Sequence, residues 1–84
     1  MHTYITRDEA VALYKKATKA IQYQSGSTTT VVFNSFDCNK EFFVQVNTYK
    51  NGRVQAFAEP MSNKVDDIFS IIMSDEYETA IRIK

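Results

Sequence analysis

The residue types that carry out chemistry are few in this chain, and their spacing does not form a site. There is one histidine, His2, and one cysteine, Cys38. A metal centre built from His and Cys needs several such ligands, and a nucleophilic Ser or Cys needs a base beside it. With only Gly26 and Gly52, the sequence has no glycine-rich phosphate loop. We therefore expect no cofactor, no metal, no catalytic residue and no enzymatic activity.

Carboxylates are concentrated towards the end of the sequence. Six of the ten acidic residues lie between positions 59 and 84, but their spacing matches no known cation-binding loop. We expect an acidic surface there that steers association with a basic partner protein. The residues assigned to this role are Asp66, Asp67, Asp75 and Glu76.

Length and composition indicate one small globular domain over residues 1–84. The chain is 44% hydrophobic and 24% charged, and its ten basic residues cancel its ten acidic ones. Net neutrality gives no global signature for binding nucleic acid or an anionic membrane. No apolar run approaches the ~20 residues of a membrane span, and the first residues lack the pattern of a signal peptide. A single cysteine favours a reducing compartment, so we expect a cytoplasmic protein.

The first segment predicts a helix over residues 6–24. Thr6 and Glu9 have the spacing of a capping box at its start. The helix should end before Ser25-Gly26-Ser27. Its apolar stripe recurs at helical spacing through Ala10, Leu13, Tyr14, Ala17 and Ile21.

The middle of the chain predicts a three-stranded antiparallel meander over about 28–36, 41–50 and 53–59. Asn51-Gly52 favours a two-residue type I′ turn, which pairs Val46 with Phe57 and Tyr49 with Val54. A symmetric loop over residues 37–40 pairs Phe33 with Val44 and Val31 with Val46.

After Pro60, Ser62 or Asn63 can cap a second helix with a stripe through Val65, Ile68, Phe69 and Ile72. Residues 77–84 alternate as a strand does, although a continued helix also fits them. The predicted fold is a two-layer α+β domain of order α-β-β-β-α, with a short fourth strand if residues 77–84 are extended.

Two helices on one sheet face would leave the other face uncovered. In the predicted register that face carries aromatic and aliphatic side chains among amides, which marks an interaction surface. Alternatives are that the helices bury both faces, that the face forms a homodimer, or that its aromatics stack on bases. The residues predicted to anchor a partner are Phe36, Phe43, Tyr49 and Val54.

The order α-β-β-β-α resembles that of double-stranded-RNA-binding domains, which use a lysine cluster at the start of the last helix. Here Lys64 is followed by Asp66 and Asp67, which repel phosphate. Binding of RNA or single-stranded nucleic acid is the alternative function, because Lys15, Lys16 and Lys19 on the first helix could contact a phosphate backbone.

In size and composition the chain also looks like phage-encoded inhibitors, including anti-CRISPR and anti-restriction proteins. No motif carries this likeness. The function that the sequence predicts is a small non-enzymatic protein-binding domain, of inhibitor or adaptor type. It would occupy a surface of another protein, such as a basic nucleic-acid-handling enzyme of a host.

Overall fold

An antiparallel sheet dominates the fold. A computed structural model describes residues 3–61 and 80–84, and in these ranges six strands form one sheet with one helix packed against it. The strands lie in the order β1-β5-β4-β3-β2-β6, so that β2 to β5 form a meander between two short edge strands. In chain order the elements are β1 (Thr3–Ile5), α1 (Arg7–Tyr14), β2 (Ala20–Ser25), β3 (Thr28–Asp37), β4 (Lys40–Thr48), β5 (Val54–Pro60) and β6 (Ile81–Arg82).

The domain is α+β, but the order α-β-β-β-α is not confirmed. Strand β1 precedes the helix and strand β2 follows it, and the sequence reading contains neither. The predicted second helix lies outside the described residues. Within the predicted terminal strand, residues 77–79 also lie outside them, and Ile81 and Arg82 pair with β2.

The prediction that the first helix continues to Gln24 is wrong. The helix ends at Tyr14, and Ala20–Ser25 pairs with β3 instead. Contacts from distant parts of the chain occupy the carbonyls at the helix end. The Ser35 hydroxyl donates to the Leu13 carbonyl at 2.7 Å, and the Lys84 ammonium donates to the Tyr14 carbonyl at 2.7 Å. The same carbonyls also accept local bonds, Leu13 from Lys16 N–H at 3.1 Å and Tyr14 from Ala17 N–H at 3.0 Å, so the distant donors add to a turn that already closes the helix.

The connection from α1 to β2 is held by Asn34, which is 1% exposed. Its carbonyl oxygen Oδ1 accepts from the backbone N–H groups of Thr18 and Lys19, each at 3.0 Å. Its amide nitrogen Nδ2 donates to Thr18 Oγ1 at 2.7 Å and to Glu41 Oε2 at 2.9 Å. One buried amide thus joins the loop to β3 and β4.

The hairpin between β3 and β4 confirms the predicted register. Phe33 pairs with Val44 and Val31 with Val46. The two turn residues, Cys38 and Asn39, have φ of 50° and 64°. Positive φ at both central positions is the requirement of a type I′ turn.

The predicted register of the next hairpin is wrong by one residue. Tyr49 N–H donates to the Arg53 carbonyl at 2.8 Å, which closes a three-residue loop rather than a two-residue turn. Gly52, with φ of 85°, takes the left-handed position at the end of that loop. Val46 consequently pairs with Ala56 instead of Phe57.

Apolar side chains pack on both faces of the sheet. The cluster on the face that carries α1 contains Ala17, Ala20, Phe33 and Val44. The cluster on the opposite face contains Ile21, Val32 and Phe43, and Met61 and Ala80 pack against it. The face that the sequence reading leaves open is therefore buried at its centre.

Candidate functional site

The start of α1 is fixed by the capping box that the sequence predicts. Glu9 N–H donates to Thr6 Oγ1 at 3.1 Å, and Thr6 N–H donates to Glu9 Oε1 at 3.0 Å. The hydrogen bond from the Thr6 backbone, followed by that from its side chain, holds the pKa of Glu9 below its ordinary value. The capping box thereby fixes the first turn of α1.

At the end of α1, the Tyr14 ring makes an edge-on aromatic contact and a cation–π contact. The Tyr14 ring meets the Phe33 ring edge-on, with centroids 5.2 Å apart and planes at 90°. The Lys84 ammonium lies 4.5 Å from the centroid of the Tyr14 ring. Ile83 N–H donates to the Ala20 carbonyl at 2.9 Å, and Ile83 lies in the chain next to Lys84.

An apolar groove, which we call the α1 groove, lies between one side of the helix and the sheet. Its volume is about 580 Å³. Two of its apolar side chains are well exposed, Val11 at 51% and Ile83 at 39%. Its lining comprises Arg7, Ala10, Val11, Tyr14, Val31, Phe33, Val46, Thr48, Gly52, Val54 and Ile83.

The α1 groove exists because the helix is short. Eight helical residues extend about 12 Å. A sheet of six strands is about 24 Å wide at a strand spacing of about 4.8 Å. A helix of this length cannot cover that face, so apolar floor from β3, β4 and β5 stays accessible beside it.

Charge differs between the two sides of α1. The side towards the α1 groove carries Arg7, one helical turn from Val11. The other side carries Glu9 and borders a smaller cavity of about 330 Å³ that Asp37 also lines. The same helix therefore separates a basic apolar groove from an acidic one.

Further basic residues flank the α1 groove along the chain. Gly52 lines it and precedes Arg53 in the tight β4–β5 loop, and Lys50 lies in the same loop. Ile83 lies between Arg82 and Lys84. Within the described ranges, Arg7, Lys50 and Arg53 form no ion pair and no side-chain hydrogen bond.

The four predicted anchors do not form one surface. Phe43 is 3% exposed and belongs to the core on the face opposite α1. Phe36 is 39% exposed, at the β3–β4 turn. The Tyr49 hydroxyl donates to Gln55 Oε1 at 3.0 Å. Val54 lines the α1 groove, because the one-residue shift of β5 moves it to the helix face.

The charged residues that the sequence singles out are only partly described. Asp66, Asp67, Asp75 and Glu76 lie outside the described residues. Lys15 and Lys16 are exposed after the end of α1, and Lys19 is half-buried in the connection to β2. Lys16 lies near Phe36 and Cys38 around a separate surface depression.

Nothing in the described ranges assembles a metal site, since no three His, Cys, Asp or Glu side chains there are close enough to hold an ion. Cys38 is exposed in its turn.

The groove residues Arg7, Val11 and Ile83 are absent from the sequence-based site. Arg7, Val11 and Tyr14 do recur at i, i+4 and i+7, a second helical stripe that could have indicated them.

Two further findings bear on identity. In the part of the chain that the structure describes, no helix has the length and apolar character needed to cross a membrane. No protein-family model, no curated protein and no solved structure matches this chain.

Proposed function

We propose that this chain is a small non-enzymatic protein-binding domain, of inhibitor or adaptor type, that recognises its partner through the α1 groove. The observation that carries the proposal is the accessible apolar groove itself, with Val11 and Ile83 exposed on its walls. Exposed apolar surface of this kind marks interaction sites on small soluble domains. A partner that covers the groove would bury these side chains.

The construction of the groove supports a binding role. Its helical wall is fixed at the start by the capping box and at the end by Lys84. Its floor belongs to the paired strands β3, β4 and β5. A rigid surface loses little conformational entropy on binding, so more of the contact energy contributes to affinity.

The proposal keeps the class of partner that the sequence suggests. Such a domain would act as phage-encoded inhibitors do, by occupying a surface of a host protein such as a nucleic-acid-handling enzyme. The steering role of Asp66, Asp67, Asp75 and Glu76 remains a prediction from the sequence.

Binding of single-stranded nucleic acid is the second candidate. It is favoured by Lys15 and Lys16, which are exposed just after the end of α1. It is disfavoured by the aromatic rings, because base stacking needs accessible ring faces. Phe33 and Phe43 are buried, and the Lys84 ammonium lies over the Tyr14 ring. Tyr4 and Phe36 are 64% and 39% exposed, but neither lines the α1 groove.

The test compares two variants with the same change of charge on neighbouring residues of α1. Val11→Glu places a carboxylate in the α1 groove, and Ala12→Glu places one on the other side of the helix. Both positions are exposed, so both variants should fold. In a quantitative pull-down from source cells, V11E should lose partners that the unmodified chain and A12E retain.

Circular dichroism and thermal melting of both variants verify that the fold is intact. Equal recovery of partners by V11E and A12E would contradict the proposal. Recovery of nucleic acid that falls steeply with added salt would favour the second candidate.

A further inference from the structure

We infer that the α1 groove receives an acidic segment of the partner protein, in which one apolar side chain is adjacent to carboxylates. This inference rests on the proposed function and specifies the chemistry of the segment that is bound. It follows from the contrast between an apolar floor and basic surroundings. The occupant is a peptide segment of another protein and not a second copy of this chain.

The floor of the α1 groove selects an apolar side chain. Val31, Val46 and Val54 come from three adjacent strands and lie on the same face of the sheet. Val11 and Ile83 add aliphatic surface at the walls. An aliphatic or aromatic side chain placed there would displace water from all of these groups, and polar side chains would lose hydration without gaining partners.

The surroundings of the groove select negative charge. Arg7 lines the groove and has no ionic partner among the described residues. Arg53 and Lys50 lie in the loop that presents Gly52 to the groove, and they too have no ionic partner there. The Lys84 ammonium lies beside the Tyr14 ring at the far wall. Carboxylates on the partner segment would pair with these cations. This charge complementarity would increase the specificity of binding and its association rate.

The opposite side of α1 provides an internal contrast. The cavity there is also bordered by apolar side chains, including Leu13 and Phe42, but its charged residues are Glu9 and Asp37. A carboxylate-rich segment would be repelled from that side and attracted to the α1 groove. Because the two cavities share one helix, the difference in charge decides which one an acidic segment enters.

A nucleic acid strand is a weaker fit to the same cations. The rings that border the groove, Tyr14 and Phe33, contact each other edge-on, and Phe33 is buried. The remaining lining is largely aliphatic. A base would find no open aromatic face on which to stack, so its affinity would depend on phosphate contacts alone.

The experiment selects binders from a library of random twelve-residue peptides displayed on phage, with the purified full chain as bait at low salt. Bound phage are counter-selected on V11E, so that only peptides that need the groove are retained. Enriched peptides are then synthesised, and their affinities are measured by fluorescence anisotropy. We expect an apolar residue flanked by two or more Asp or Glu residues.

Two charge-reversal variants test whether the enriched peptides bind through the basic residues of the groove. Arg7→Glu should weaken the enriched peptides roughly tenfold, because it replaces an attraction by a repulsion at the groove. Lys40→Glu, the matched charge reversal at the start of β4 and outside the groove lining, should change affinity less than twofold. Affinity for the unmodified chain should also fall as salt is added, since exposed charges are screened.

The outcomes separate this inference from the proposed function. Groove-dependent peptides that are neutral or basic would overturn the inference and leave a protein-binding groove in place. Selection of no groove-dependent peptide would overturn the inference, and the pull-down would then decide the proposed function. Tighter binding of a single-stranded oligonucleotide than of any peptide, lost in R7E, would overturn both.

Discussion

Asn34 is a polar residue that contributes to the stability of the fold through its buried side chain. It is buried, it uses both its oxygen and its nitrogen, and it joins the α1–β2 loop to β3 and β4. A buried amide is stable only where its hydrogen bonds are satisfied, and here four are formed. No apolar residue could replace them, because the backbone N–H groups of Thr18 and Lys19 would lose their acceptor.

We predict that Asn34→Ala destabilises the domain by roughly 2 kcal/mol, because the part-buried bonds from the Thr18 and Lys19 backbone and to Glu41 are all lost. Urea unfolding of the variant and the unmodified chain measures this difference. The control is Asn51→Ala, since Asn51 Oδ1 accepts a single exposed hydrogen bond from Arg53 N–H at 2.9 Å. That variant should cost less than about 1 kcal/mol. Similar losses in the two variants would show that Asn34 does not have this role.

At the scale of elements, the turns explain both the correct and the incorrect register. The loop over residues 37–40 has a short, symmetric form that keeps apolar residues on one face, and the predicted pairing of Phe33 with Val44 is confirmed. Asn51-Gly52 fits either a two-residue or a three-residue loop. The structure uses the longer loop, with Gly52 in the left-handed position, and every side chain of β5 changes face.

The helix shows a second limit of sequence reasoning. Its start is predictable because Thr6 and Glu9 interact locally in the capping box. At its end, Ser35 and Lys84, which are distant in sequence, donate to the Leu13 and Tyr14 carbonyls. Ile21 fits both a helical stripe and strand alternation, so local pattern cannot decide between them. The α1 groove could not be predicted, because it exists only if the helix is short.

The β3–β4 turn yields a prediction about stability. Cys38 adopts φ of 50° without the freedom of glycine, and left-handed backbone costs most residues about 1–2 kcal/mol. Replacing Cys38-Asn39 by Asn-Gly, the favoured type I′ pair, should stabilise the domain by about 1 kcal/mol. Thermal or urea unfolding of the double variant C38N/N39G measures the gain.

The control for that variant is Gly52→Ala. The space around a Cβ at Gly52 is open, so any loss of stability there comes from its φ of 85° and not from a clash. We expect G52A to lose about 1 kcal/mol. A double variant C38N/N39G that is less stable than the unmodified chain would refute the assignment of strain to Cys38.

At the scale of the whole molecule, net charge conceals the distribution that matters. The full chain is neutral, with ten basic and ten acidic residues. Composition alone argues against electrostatic recognition, yet Arg7 lines the apolar groove, and Arg53 and Lys84 are the chain neighbours of its lining residues Gly52 and Ile83. Local arrangement, and not the sum, decides which partner chemistry a small domain selects.

This arrangement also predicts the state of association. A symmetric dimer through the α1 groove would place Arg7 and its basic neighbours of one copy against those of the other, which is unfavourable. We therefore expect a monomer of 9.7 kDa by light scattering coupled to size exclusion, at both low and moderate salt. V11E should elute in the same way as the unmodified chain.

Two concentrations and two salt levels make this measurement decisive. A mass that doubles at the higher protein concentration and returns to 9.7 kDa in V11E would show that a second copy occupies the α1 groove. Self-association would then compete with any partner segment and lower its apparent affinity as the chain is concentrated. A monomer under all four conditions leaves Val11, Ile83 and the cations around them accessible, as recognition of an acidic partner segment requires.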